Sequence, residues 1–138
     1  MWRILLVKDS FIVTEAELLK TAVQVLGALG VRCYRRNVGA RTWIDKKGKT
    51  RLMKFAMAGM ADLWGTGPDG RHWEVELKRY GRKPTDEQLS WLFSMTETGA
   101  VAFWADNIRS LERVARAILA GGRIEWRRDG TYDVETCP

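Results

Sequence analysis

The tetrapeptide Gly67-Pro68-Asp69-Gly70 constrains this chain more than any other stretch, because it stands between two segments of alternating apolar residues, 61–65 and 72–80. That pattern predicts a β-hairpin. Pro68 presets φ for the first turn position, Asp69 suits the second, and Gly70 tolerates the left-handed conformation that closes a three-residue loop with a bulge. A loop centred on Asp69 sets Asp62 opposite Glu76, with Cβ atoms roughly 4.5–5.5 Å apart. Alternation along the second strand groups Glu74, Glu76 and Lys78 on one face and Trp73, Val75 and Leu77 on the other.

Directly opposed carboxylates repel unless a cation lies between them or one is protonated. A divalent ion would relieve the conflict, since Asp and Glu oxygens are hard ligands and Mg²⁺ takes one or two of them together with waters and phosphate oxygens. Lys78, beside them, is suited to offset developing negative charge or to orient a water. Asp62, Glu76 and Lys78 are thus the parts needed for metal-dependent phosphodiester hydrolysis. The plainer alternative is a solvated strand face on which Glu74 and Glu76 pair with Lys78 and nearby arginines.

Charge agrees with an anionic partner such as nucleic acid: 23 Lys and Arg face 17 Asp and Glu, a net charge of +6. Cys33 and Cys137 lack metal-ligand spacing, and His72 is the only histidine, which argues against a zinc centre and against Ser-His-Asp catalysis. His72 itself reads as a surface residue. No apolar run approaches a membrane span or a secretory leader, so the expectation is a cytoplasmic protein without a membrane partner. With 138 residues, 46% of them hydrophobic, and seven tryptophans available for a core, the chain fits one domain, 1–138.

Around the hairpin, residues 3–7 read as a short strand. Thr14 and Glu17 form a capping box that opens a helix ended by Gly30. Leu18, Leu19, Ala22 and Leu26 share a helical face with Glu15, which directs Glu15 toward the sheet; electrostatic capping of the helix is the alternative role. Residues 31–37 alternate as a strand. Residues 42–44 and 49–55 suggest a second hairpin turning through Asp45-Lys46-Lys47-Gly48, with Arg41, Lys46, Lys47, Lys49, Arg51 and Lys54 making it a candidate phosphate-contacting arm. Trp43 on that arm is expected to pack in the core, with base stacking as the alternative. Thr85 and Gln88 form another capping box, opening a helix over 85–98 that turns Gln88 toward the protein body. A buried strand over 100–104, a helix capped by Asp106 or Asn107 and running to 120, and a hairpin of 123–128 with 131–135 complete the chain.

The ordered set Glu15, Arg35 or Arg36 with Asn37, Gly59-Met60-Ala61-Asp62, Glu76-Leu77-Lys78 and Gln88 resembles the VRR-NUC domain, a branch of the PD-(D/E)xK nuclease superfamily, from Thr14 to about Ala120. Ala61 stands where that family usually has proline, a change of backbone stiffness and not of ligand chemistry. The resemblance implies an α/β fold with a restriction-endonuclease-like core, a central mixed β-sheet flanked by helices. It implies a Mg²⁺- or Mn²⁺-dependent endodeoxyribonuclease, structure-specific for branched DNA such as four-way junctions, acting as a homodimer in a bacterial or phage-infected cell. By the same resemblance Asp62, Glu76 and the Leu77 carbonyl hold the metal, Lys78 positions the attacking water, Glu15 assists through a second metal or an outer water, and Gln88 orients Lys78 or the water. Arg35, Arg36, Asn37, Lys46, Lys47 and Arg82 are the candidate nucleic-acid contacts. The competing functions are a non-catalytic nucleic-acid-binding module and an assembly subunit.

Overall fold

The computed structural model describes residues 14–37, 39–54 and 56–136; the strand expected over 3–7 and the thiol of Cys137 lie outside them. Helix α1 (Glu15–Ala28) begins at the expected capping box. The Thr14 hydroxyl accepts from the Glu17 N–H at 3.2 Å, and the Glu17 carboxylate accepts from the Thr14 N–H at 3.0 Å. The chain leaves the helix through Gly30, at φ +90°, and enters β1 (Arg32–Arg35).

Two strands, β2 (Ala40–Ile44) and β3 (Thr50–Lys54), pair, among the described residues, only with each other, and every residue in them is exposed. They form the expected basic arm, and Trp43, 45% exposed, does not join the core: among the described residues no second layer packs on the arm. The central hairpin consists of β4 (Leu63–Thr66) and β5 (His72–Leu77), shorter than the alternation suggested. Its register, Leu63 with Val75 and Trp64 with Glu74, is the one that a loop centred on Asp69 requires. Helix α2 (Asp86–Glu97) crosses to β6 (Val101–Ala105), which lies parallel to β5. Helix α3 (Ile108–Leu119), capped by Asn107, precedes the final hairpin of β7 (Arg123–Trp126) and β8 (Tyr132–Glu135).

The central sheet runs β1-β4-β5-β6, with β5 and β6 parallel and the other neighbours antiparallel. Close approach of β1 and β4 needs Gly65, where a Cβ would fall 1.8 Å from the Arg32 carbonyl oxygen. One sheet face packs Trp73, Val75, Leu77, Phe103 and Leu63 against Leu18, Ala22 and Leu26 of α1 and Leu111, Val114 and Ile118 of α3. Burying each such aliphatic or aromatic chain contributes about 1.5–3 kcal/mol.

The opposite face carries Ala61, Ala102 and Leu92 of α2, bordered by Trp91, Met95, Trp104 and Trp126. The last hairpin closes this side through the Phe93–Trp126 ring contact, at a centroid distance of 4.9 Å, and through Trp104 Nε1, which donates to the Gly130 carbonyl at 2.9 Å. Because α2 covers this face, β5 is buried on both sides, and Glu74 and Glu76 retain 0% and 1% exposure. The solvated charged strand face is therefore ruled out. Two glutamates lie inside the protein, and each needs partners.

Candidate active site

Extending the β4–β5 ladder one step beyond Leu63 and Val75 brings Asp62 opposite Glu76, and the contacts agree. The Asp62 N–H donates to Glu76 Oε2 at 3.1 Å, and the Leu77 N–H donates to Asp62 Oδ2 at 3.0 Å. Each carboxylate thus accepts a backbone hydrogen from the other strand, which holds both at the end of the hairpin. Lys78 Nζ lies 3.2 Å from Glu76 Oε1. Gln88 Nε2 donates to the same oxygen at 2.6 Å.

Gln88 does two things at once. Its side-chain oxygen accepts from the Thr85 N–H at 2.9 Å to complete the helix cap, leaving the amide nitrogen free to reach β5. The start of α2 is in turn fixed by Gly59, at φ +85°, where a Cβ would sit 2.7 Å from the Glu87 carbonyl oxygen. Only a glycine there lets the 56–62 segment press against the helix and align Asp62 with Gln88. A cleft of about 360 Å³ opens at this point, lined by Lys54, Met57, Met60, Asp62 and Gln88 among others.

Electrostatically the pair is short of positive charge. Burial, and then the charge of Asp62, push the Glu76 carboxyl up to about 7 against the opposing pull of Lys78. Burial likewise raises Asp62; the Leu77 N–H and the Lys78 charge oppose the rise, and Glu15 adds to it. Among the described residues no group of three or more His, Cys, Asp or Glu side chains could hold a metal ion. Two carboxylates are nevertheless the donor set that Mg²⁺, which keeps most of its waters, ordinarily uses. The residues therefore fit a hard divalent ion held by Asp62 and Glu76, and do not form an all-protein cage.

Glu15 does not join the pair. It is exposed in the first turn of α1 and acts on Asp62 through its charge alone. Cys33 offers no rival nucleophile, since burial, with the nearby Glu74, raises its thiol to about 12.

Of the candidate nucleic-acid contacts, Arg35, Asn37, Lys46, Lys47 and Arg82 are exposed. Arg36 is not available in the same way, which corrects its place in that set. Its guanidinium grips Glu74 with both terminal nitrogens, at 2.9 and 3.1 Å, and donates to the Ala61 carbonyl at 3.1 Å. Trp91 Nε1 adds a bond to Glu74 Oε1 at 2.9 Å, and His72 Nε2 stands 3.6 Å from Oε2. This network braces β5 two residues before Glu76; pairing of Glu74 with a nearby arginine belonged to the plainer alternative, and what sequence reasoning missed is that the pair is buried. The alternation put Glu74 on the face of Glu76, but nothing in the chain says that α2 covers it.

A mixed four-stranded sheet, helices on both faces and two carboxylates at the end of its hairpin define a restriction-endonuclease-like α/β core. Among solved structures the chain is similar to a VRR_NUC domain, with a TM-score of 0.52 and 22% sequence identity over 74% of this chain and 94% of that one. The protein thus has a VRR-NUC-like fold. Neither a protein-family model nor a curated protein matches the sequence. No helix among the described residues is long and apolar enough to cross a membrane.

Proposed function

We propose that the chain is a divalent-metal-dependent DNA endonuclease, structure-specific for branched DNA such as four-way junctions, and that it works as a homodimer. One observation carries the reading: Asp62 and Glu76 converge across β4 and β5, with Lys78 and Gln88 both bound to the Glu76 carboxylate. The likeness in fold to a domain whose name denotes a nuclease supports it.

In this reading Asp62, Glu76 and the Leu77 carbonyl hold Mg²⁺ or Mn²⁺. When bound, the ion supplies Lewis acidity to the scissile phosphate and lowers the pKa of water. Lys78, tethered by Glu76 and held near the carboxylates, offsets the negative charge that builds on the phosphoryl oxygens as water attacks in line. Gln88 fixes the Glu76 carboxylate from the helix side and so limits where Lys78 can point. Glu15 biases Asp62 and orders outer water. Arg35, Asn37 and Arg82, with Lys46 and Lys47 at the tip of the arm, neutralise backbone phosphates. Two copies related by a two-fold axis would offer one site to each of two strands.

The decisive experiment is incubation in Mg²⁺ with linear, flapped, forked and four-way-junction DNA, for the wild type and for Asp62→Asn and Lys78→Ala. Both variants should bind DNA and fail to cut. Cleavage by Asp62→Asn at the wild-type rate would show that the site is elsewhere. Salt-sensitive binding with no cleavage by the wild type, in Mg²⁺ or Mn²⁺, would leave a binding module.

A further inference from the structure

The sheet face that carries Asp62 and Glu76 is only partly covered. Over β5 and β6 lies α2, but toward the β1 edge no described element covers the same face, and there it presents aromatic rings to solvent. Tyr34 is 56% exposed and Trp64 40%. They are direct cross-strand partners, with ring centroids 5.5 Å apart. His72 continues the row, stacked on Trp64 at 6.4 Å with the planes 28° apart. Two large rings left in contact with water, when the opposite face buries Trp73 completely, form an exposed apolar patch of the kind that marks a binding surface.

The identity of the ligand follows from what surrounds the rings. Along β1 the exposed Arg32 and Tyr34 share this face, so a cation stands beside the aromatic row, while Arg36, just past the strand, is committed to Glu74. Past His72 the row runs into a cavity of about 460 Å³ lined by Arg36, Met60, His72, Glu74, Trp91 and Met95. Its size lies in the range of small-ligand pockets. A strand of unpaired nucleotides has the matching chemistry, with flat π faces for the rings and a phosphate for Arg32. Paired bases are already stacked on one another and offer no face. Trp64 lies two residues along β4 from Asp62, roughly 7 Å at strand spacing, so a strand on the rings is led toward the carboxylates.

We propose that Tyr34, Trp64 and His72 form a stacking platform for the bases of an unpaired DNA strand, and that this platform delivers the strand to the site at Asp62 and Glu76. The destination rests on the nuclease reading above; the platform does not. It assigns the substrate feature recognised beside the scissile bond, namely single-stranded nucleotides at a fork, flap or junction. Base stacking on an aromatic side chain is worth about 1–3 kcal/mol per base and is indifferent to sequence.

The test uses the full chain in chelator, so that nothing is cut, and measures anisotropy of three labelled probes of equal length: oligothymidine, an abasic strand with the same phosphates, and a blunt duplex. Tyr34→Ala and Trp64→Ala should each weaken oligothymidine binding by about 5- to 150-fold and leave the abasic strand and the duplex unchanged. Trp64→Phe, which keeps a π face, should retain most of the affinity. Unchanged oligothymidine binding in both alanine variants would overturn the platform, as would equal losses on the oligothymidine and abasic strands. A wild type that cuts no DNA in Mg²⁺ yet prefers oligothymidine to the abasic strand through Trp64 would sink the nuclease reading and sustain the platform. A wild type that cuts without that preference would do the reverse.

Discussion

Arg36→Met is the sharpest probe of how this fold holds β5 in place. The substitution removes both bonds to Glu74 and the bond to the Ala61 carbonyl, and leaves the carboxylate, at 0% side-chain exposure, with the Trp91 indole and a distant His72. Breaking a buried pair from one side costs about 3–5 kcal/mol, because the remaining charge loses its partner without regaining water. For a chain of this length that corresponds to a fall in Tm of roughly 10–20 °C. The double variant Arg36→Met with Glu74→Gln should recover most of the loss, since a neutral amide oxygen still accepts from Trp91 and no charge is stranded. The assay is thermal and urea unfolding followed by tryptophan fluorescence, combined in a double-mutant cycle. A single variant that loses less than about 1 kcal/mol, the cost of breaking an exposed pair, would refute the argument. So would a double variant no more stable than the single one. DNA binding separates the two roles considered for Arg36: a recovered fold with normal DNA affinity makes it structural, and a recovered fold that has lost DNA makes it a phosphate contact.

Four further outcomes are expected. Without divalent ions the folded protein holds Glu76's proton up to about 7, against an ordinary value of 4.5, so it carries more protons than the unfolded chain between those values. Stability should therefore fall as pH rises through that window, by an amount on the order of 3 kcal/mol, and Mg²⁺ should restore it; a flat Tm–pH profile in chelator would contradict the repulsion inferred at the site. Asp62→Asn removes one of the two opposed charges and should raise Tm at about pH 8 in chelator while abolishing the stabilisation by Mg²⁺, which differential scanning calorimetry can check. Gly59→Ala forces a side chain into a left-handed position 2.7 Å from the Glu87 carbonyl, at a cost of about 1–3 kcal/mol, and should slow cleavage by shifting Asp62 relative to Gln88; an unchanged Tm and rate would free Gly59 of that role. Replacing Lys46 and Lys47 with alanine should reduce the slope of log affinity against log salt by roughly 2 if each meets a phosphate, and an unaltered slope would remove the arm tip from the interface.

Much of this was legible locally. The Gly67-Pro68-Asp69-Gly70 turn has one comfortable geometry, and a turn centred on Asp69 sets the register of every residue on both strands, so the meeting of Asp62 and Glu76 follows from the chain. The capping boxes at Thr14 and Thr85 are likewise interactions between residues three apart, and need nothing from the rest of the fold. Periodicity also marked the inward faces of α1 and α3. It misled at Trp43, because alternation with aromatic residues describes a strand but not whether a second layer exists to bury it.

Sequence by itself therefore determined the short-range facts: where the hairpins turn, where the helices begin, and which carboxylates oppose each other. Only the tertiary structure decided what lies above each face. It brought α2 over Glu74 and Glu76, turned Arg36 inward, and left Tyr34 and Trp64 open. The physical reason is one of range: turn geometry and helix caps act over a few residues, whereas burial depends on elements distant in sequence that meet only when the chain packs.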